Sequence, residues 1–316
     1  MGSGTVVKLV SRVKDNPYVR LLCEGLRSDE AALDVAVVDH FSLGWMWRHR
    51  DIVDVLHIHW LELFFTYPSW RRSVKRWLSV MLALCLARLS KICIIYTVHN
   101  IWQHEGRRQR LVSWGNRVML AVAHGVHAHN VETASILRSR WGRRRDVRII
   151  SHGSYLSAYP NTCTRQEARE ALSVQGARFV YLFLGRVRPY KGVEELIRAF
   201  RRLEDEDAIL LIAGKAEERM YAERIRVLAG ETDHVRLHLH FVAEEELQYY
   251  FAAADICILP YRHVTTSGAA ILSFSFGTPV VAPRLGSFER LVGDQERGIL
   301  YQPEKRDGLQ CALQRI

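Results

Sequence analysis

Residues 179–192 read FVYLFLGRVRPYKG, an apolar run that passes directly into a turn carrying Arg186 and Lys191. Beyond the turn, Val193, Leu196, Ile197, Phe200 and Leu203 recur with helical spacing. A buried strand therefore hands over to a helix at the two cations. The start of a helix offers unpaired backbone N–H groups and a partial positive charge, and Arg186 and Lys191 add to it. That combination suits a diphosphate. The competing reading is a solvated basic loop.

A second anion-compatible turn follows further along. Ile256 to Pro260 reads as a buried strand, and the loop from Tyr261 to Gly268 (YRHVTTSG) leads into an apolar helical run, Ala269 to Phe276, ended by Gly277-Thr278-Pro279. Thr265, Thr266 and Ser267 are good helix caps, and Gly268 lets a ligand approach the backbone. Neither turn is a G-x-G-x-x-G or G-x-x-x-x-G-K-[ST] fingerprint.

Outward from these turns, strand and helix alternate along the chain. Strands are predicted at 6–10, 33–39, 53–59, 92–99, 125–129 and 147–151. A second set is predicted at 179–184, 209–213, 235–241, 256–260, 279–282 and 299–301, with helices near 18–26, 70–90, 109–123 and from 132. This order implies parallel sheets covered on both faces. The expected architecture is α/β: a Rossmann-like domain over 1–156, a linker over 157–163, and a second Rossmann-like domain over 164–316. The two doubly wound domains would face each other across a cleft, and ligands in such sheets bind at the carboxyl ends of strands.

Charge separates the halves. Residues 1–163 hold 23 Lys and Arg against 12 Asp and Glu, whereas residues 164–316 hold 21 against 22. The basic clusters are Arg71, Arg72, Lys75 and Arg76; Arg107, Arg108 and Arg110; and Arg138 through Arg148. Trp47, Trp60, Trp70, Trp77 and Trp102 lie in the same half. Nucleic acid, an anionic membrane surface and plain solubility each account for such a face. No nucleic-acid motif or interleaved aromatic platform accompanies it, so nucleic acid is not an expected partner. The six cysteines show no C-x-x-C or zinc spacing, which fits a reducing compartment. The longest apolar stretch, Leu78 to Leu89, is too short to span a bilayer and reads as a covering or interfacial helix.

Taken together, these residues resemble the glycosyltransferases of GT-B fold, and most of all family 4 with its bacterial mannosyl- and glucosyltransferase relatives. GRVRPYKG after a strand, TTSGAAILSFSFGTPVVAP over 265–283 and Glu289 soon after match the donor domain. Asn16-Pro17-Tyr18, Thr97-Val98-His99-Asn100, His104-Glu105 and His152-Gly153-Ser154-Tyr155 match the first domain. The resemblance implies a hexosyltransferase that takes a GDP- or UDP-sugar donor, with no cofactor and no metal. Arg186, Lys191 and the backbone of Thr266, Ser267 and Gly268 would hold the diphosphate, and Glu289 the nucleotide. Asn16, Asn100, His152 and Gly153 would contact donor or acceptor sugar. His99, His104 and Glu105 are the candidates for catalysis. A glycan or lipid-linked acceptor is the expected partner, the cysteines suit a cytoplasmic place, and the basic, tryptophan-bearing half suits the inner face of the cell membrane.

The sequence departs from the family in places. The two glutamates usual in retaining members are Val264 and Leu272 here, and the T-S-G form of the loop is closer to the inverting β-mannosyltransferase branch. The glycine pair after the first strand is replaced by Asp15-Asn16-Pro17-Tyr18. The family's closing helix is not reached by Ile316, so either this is a fragment or closure is achieved differently. Inactive sugar-nucleotide binding is the alternative the missing glutamates suggest. The one D-x-D, Asp205-Glu206-Asp207, falls in a charged turn rather than at a strand's carboxyl end.

Overall fold

The structure, a computed structural model, describes residues 4–13, 16–28, 33–99, 108–230, 232–293 and 295–316. Asn100, His104 and Glu105 lie outside the described residues, as do Asp15, Trp102 and Arg107. The chain divides into two compact units, Met1–His152 and Gly153–Ile316.

In unit 1 the strands are β1 (Val6–Val10), β2 (Asp34–Val38), β3 (Val55–His59), β4 (Cys93–Val98), β5 (Gly125–Ala128) and β6 (Val147–Ile149). They pair in parallel in the order β2-β1-β3-β4-β5-β6. Between them run α1 (Pro17–Arg27), α2 (Leu43–His49), α3 (Trp70–Leu89), α4 (Gln109–Val122) and α5 (Val131–Ser139). The helix starts are written in the sequence. Asn16, Ser42, Ser69 and Asn130 each accept a first-turn N–H, from Tyr18, Trp45, Arg72 and Thr133, satisfying donors a helix start leaves open. Leu56, Ile58, Phe64, Phe65, Leu84 and Ile94 are wholly buried in the core beside the sheet.

Unit 2 repeats the plan with β7 (Phe179–Leu184), β8 (Ala208–Ala213), β9 (Val235–His238), β10 (Ile256–Ile258), β11 (Val280–Pro283) and β12 (Gly298–Tyr301). The order is β12-β11-β10-β7-β8-β9, all parallel. Its helices are α6 (Arg165–Ala171), α7 (Val193–Arg201), α8 (Arg219–Ala229), α9 (Leu247–Ala253), α10 (Gly268–Ser275), α11 (Phe288–Val292) and α12 (Gly308–Leu313). The buried face of α7 is Val193, Leu196, Ile197 and Phe200, as its spacing requires. Asp255 ties the sheet's amino end together: one carboxylate oxygen accepts from Val180 N at 2.7 Å and from Arg169 at 2.8 Å.

Several strands end earlier than their apolar runs. β9 stops at His238, so His240 lies past the strand; the His238 ring sits 2.9 Å from the Tyr250 hydroxyl, a structural contact. The segment read as a linker is held on unit 2. Thr162 N and Cys163 N both donate to the Gln248 side-chain oxygen, and Tyr159 stacks near Phe276.

In unit 2 the strand order reverses between β7 and β10, and in unit 1 between β1 and β3. Loops leave such a point in opposite directions and open a crevice at the carboxyl end of the sheet.

Candidate functional site

Both anion-compatible turns of unit 2 leave its reversal point, one after β7 and one after β10. Pro189–Lys191 forms a short 3-10 turn, and α7 starts at Val193. Gly192 between them has φ of +70°, and a Cβ there would meet the Pro260 carbonyl oxygen at 2.0 Å. Only glycine allows this, and it presses the first turn onto the end of β10. Arg262 N donates to Tyr190 O at 2.8 Å, lacing the two loops together again.

Lys191 and Arg186 occupy different settings. Arg186 is two-thirds exposed and shares Glu217 with Arg188. Lys191 instead points its Nζ at the Tyr261 hydroxyl, 2.6 Å away, and over that ring, 3.9 Å from its centroid. Burial, with the nearby guanidiniums of Arg188 and Arg186, pushes Lys191 down to about 7. Tyr261 is buried, which drives its phenol well above the usual value. Ser267 caps α10, its oxygen accepting from Ala270 N at 3.2 Å, and Gly268 opens the helix beneath the Tyr155 hydroxyl. The first loop's lysine is thus held by a phenol of the second loop, and that loop runs on to the capped start of α10. Glu289 lies exposed in the first turn of α11, past the carboxyl end of β11. Asp205 of the D-x-D triplet pairs with Arg178 in the turn before β8, at the opposite end of the sheet.

Unit 1 gathers histidines at the carboxyl end of its sheet. Side chains alternate along a strand, so His57 and His59 of β3, Thr97 and His99 at the end of β4, and His127 and His129 at the end of β5 share one face. The Ile150 carbonyl accepts from His127 Nε2 at 2.8 Å and from His129 Nδ1 at 3.3 Å, which places a proton on each of those nitrogens. His127 Nδ1 must then accept from the Thr97 hydroxyl, 3.1 Å away. Thr97 in turn accepts from His57 Nε2 at 2.7 Å. His59 Nδ1 lies 3.1 Å from His99 Nε2.

Tyr18 stands edge-on to His59, His99 and His129 and 4.8 Å from the His152 ring, and Trp60 stacks on His99. Burial and mutual repulsion keep four of the imidazoles neutral: His57 and His129 fall to about 3, and His59 and His99 lie well below 6.5. The Nε2 atoms of His59 and His129 are buried without a partner among the described residues. The nitrogens do not converge on a metal: among the described residues no three His, Cys, Asp or Glu side chains could hold one.

Of the residues singled out in the sequence, His99 and His152 fall in this cluster. Asn16 does not enter it by its oxygen, which is committed to capping α1, and Gly153 is exposed at the start of unit 2. His57, His59, His127, His129 and Trp60 were missed. The signal was there, as H-x-H repeated at the ends of two predicted strands.

On the outer face of α3, Trp70, Leu78, Leu82 and Leu89 are between 49% and 80% exposed, spaced by one or two helical turns. A groove of about 550 Å³ beside α2 is lined by Leu43, Trp70, Val74, Leu78 and Leu82 and edged by Arg71 and Lys75. Not all the basic clusters face solvent. Arg76 bonds the Phe41 and Phe64 carbonyls, and Arg143 the carbonyls of Leu120, Ala123 and His124. Among the described residues no helix is long and apolar enough to cross a membrane.

Residues 178–316 match the family model described as Glycosyl transferases group 1. A GDP-mannose:glycolipid 4-beta-D-mannosyltransferase of Xanthomonas campestris pv. campestris is 26% identical over 272 residues, covering 85% of this chain and 70% of that protein. Among solved structures, sucrose-phosphate synthase from Thermosynechococcus elongatus superposes with a TM-score of 0.74 at 20% identity, covering 99% of this chain and 89% of that one. Anabaena HepE in complex with UDP-glucose gives 0.74 at 16% identity, covering 98% and 89%. Two such units make the GT-B fold.

Proposed function

We propose that this chain, which is a glycosyltransferase of GT-B fold, moves a hexose of mannose or glucose type from a GDP- or UDP-sugar to a glycan or lipid-linked acceptor. Unit 2 holds the donor. The observation that carries this is the Lys191–Tyr261 hydrogen bond joining the two loops at the sheet's reversal point, with the α10 start that Ser267 caps ending the second of them. A nucleoside diphosphate leaves with growing negative charge, and fixed N–H, O–H and ammonium donors stabilise that charge most in the transition state. Arg186, exposed and paired with Glu217, adds long-range attraction rather than a fixed contact. The named activity of the Xanthomonas relative supports both the donor class and a glycolipid acceptor.

Unit 1 receives the sugar hydroxyls on its neutral imidazoles. Buried polar atoms without partners cost about 1–3 kcal/mol each, and the two open Nε2 atoms are partners a polyhydroxyl ligand can supply. His99 is too weakly basic to be the first choice for deprotonating an acceptor. Glu105 and His104 are the proposed general bases of an inverting transfer, and Val264 and Leu272 in place of glutamates support inversion. No metal is required, since Asp205 is engaged with Arg178 at the far end of the sheet. The reading of an inactive binding protein loses support from the donor array, which a scaffold does not need.

Arg71, Lys75 and the α3 apolar stripe support docking on the inner face of the cell membrane through anionic lipid, where the acceptor would be found. The test of function is release of nucleoside diphosphate from GDP-mannose and UDP-glucose with a lipid extract as acceptor. Release that requires the acceptor supports transfer, and its absence with every donor rejects it.

A further inference from the structure

We propose that Tyr261 is the positioning residue of the donor site, its hydroxyl on the second loop fixing the Lys191 ammonium of the first so that the two loops act as one diphosphate receptor. The proposal rests on the donor reading of unit 2.

The argument is one of hydrogen-bond capacity. A phenol has one proton and two acceptor sites. Tyr261 accepts from the Lys191 ammonium at 2.6 Å, and the same nitrogen lies 3.9 Å from the ring centroid. One ammonium proton is thereby committed to the phenol oxygen, and Lys191 keeps two N–H groups for a ligand. Ser267 accepts from Ala270 N at 3.2 Å, and a serine oxygen that accepts still has its own O–H to give. What these residues have left to offer are donors, which is the requirement of an anion site.

The ring is held so that this arrangement does not drift. Tyr261 is 4% exposed, packs at an angle on Phe288 with centroids 5.6 Å apart, and faces Tyr190 at 6.3 Å. The chain is pinned on both sides of it. Pro260 lies against Gly192, and Arg262 N donates to Tyr190 O. Tyr261 touches Lys191 rather than the proposed ligand, so its role is to position.

Tyr261→Phe keeps the ring and its packing and removes only the hydroxyl. Binding of GDP and of UDP to the full chain is measured by calorimetry between pH 6 and 9, with the thermal midpoint alongside. Loss of a hydrogen bond to a charged group is expected to weaken nucleotide binding at pH 7 by roughly tenfold or more. The ammonium loses an acceptor, so its proton leaves more easily and the alkaline fall in affinity moves to lower pH. A purely structural residue would weaken binding without moving that limb.

Ser267→Ala should leave the limb in place, because the Lys191–Tyr261 contact survives, and Lys191→Met, which serves if the phenylalanine variant does not fold, should abolish it. Wild-type affinity at every pH in Tyr261→Phe, a limb that moves in a folded Ser267→Ala, or a limb that persists in Lys191→Met overturns the proposal. So does a loss that is uniform in pH and tracks a fallen midpoint. If the unsubstituted chain binds neither nucleotide, the donor reading fails and takes this one with it.

Discussion

Trp60 lies flat on His99, with ring centroids 3.8 Å apart and planes 12° from parallel. It does so from a left-handed backbone, φ 44° and ψ 55°, a conformation costly for a bulky side chain. Strain of this kind costs about 1–3 kcal/mol and persists where the surroundings over-determine it. The indole excludes water from the imidazole, and with His59, His129, His152 and His127 nearby it keeps His99 neutral. Trp60→Ala should therefore raise the His99 value toward 6.5. Imidazole proton NMR from pH 4 to 8 reads this directly. A His99 resonance that titrates near 6.5 in the unsubstituted protein would contradict the arrangement.

The same cluster ties the stability of unit 1 to pH. His57, His59, His99 and His129 have folded values below the unfolded 6.5, so the unfolded chain binds protons first as pH falls. Stability is complete above pH 6.5 and is lost on the way down toward about 3. Each such histidine contributes a slope of about 1.4 kcal/mol per pH unit. All eight tryptophans lie within the first 141 residues, so tryptophan fluorescence follows unit 1 alone. The urea midpoint by fluorescence should drop steeply between pH 6.5 and 5. A flat profile would mean the histidines are not buried neutral.

Lys191→Ala is expected to lower turnover by on the order of 10²–10³, as for other fixed charge stabilisers. Arg186→Ala should cost less, because its guanidinium is exposed and shared with Glu217. The ammonium is the form that binds a diphosphate, and Lys191 sits near 7 without ligand. Donor affinity should consequently weaken as pH rises above about 7. Equal losses from the two alanine variants, in folded protein, would contradict the distinction.

Membrane docking through α3 can be separated from chemistry. Leu78→Glu with Leu82→Glu places carboxylates on the exposed stripe without touching the histidine cluster or the donor loops. Sedimentation with anionic vesicles should fall, and salt should weaken it further. Turnover on a soluble acceptor should stay. Equal binding to neutral and anionic vesicles would point to another use for the basic face.

Much of this was legible in the chain because period-2 and period-3.6 patterns are strong where both faces of a parallel sheet are buried. FVYLFL became β7 without change, and Ser267 caps α10 as its place before an apolar run requires. Strand ends were less legible: His240 and Phe241 continue the pattern of β9 but have no partner strand to pair with. The histidine cluster was seen only in part, since His57, His59, His127 and His129 come together through strand pairing across separate stretches of chain. Nor could composition tell that Arg76 and Arg143 spend their charge on backbone carbonyls. Tyr261 was read only as the start of a loop, because its contact with Lys191 spans 70 residues.

The most direct test of the central claim is nucleoside diphosphate release from GDP-mannose and UDP-glucose in excess EDTA, with lipid extract as acceptor and Lys191→Ala run in parallel. The expected result is acceptor-dependent release from one donor, undiminished by EDTA and lowered at least a hundredfold in the variant. Release that needs magnesium or manganese, or that is unchanged in folded Lys191→Ala, would contradict donor activation at Lys191.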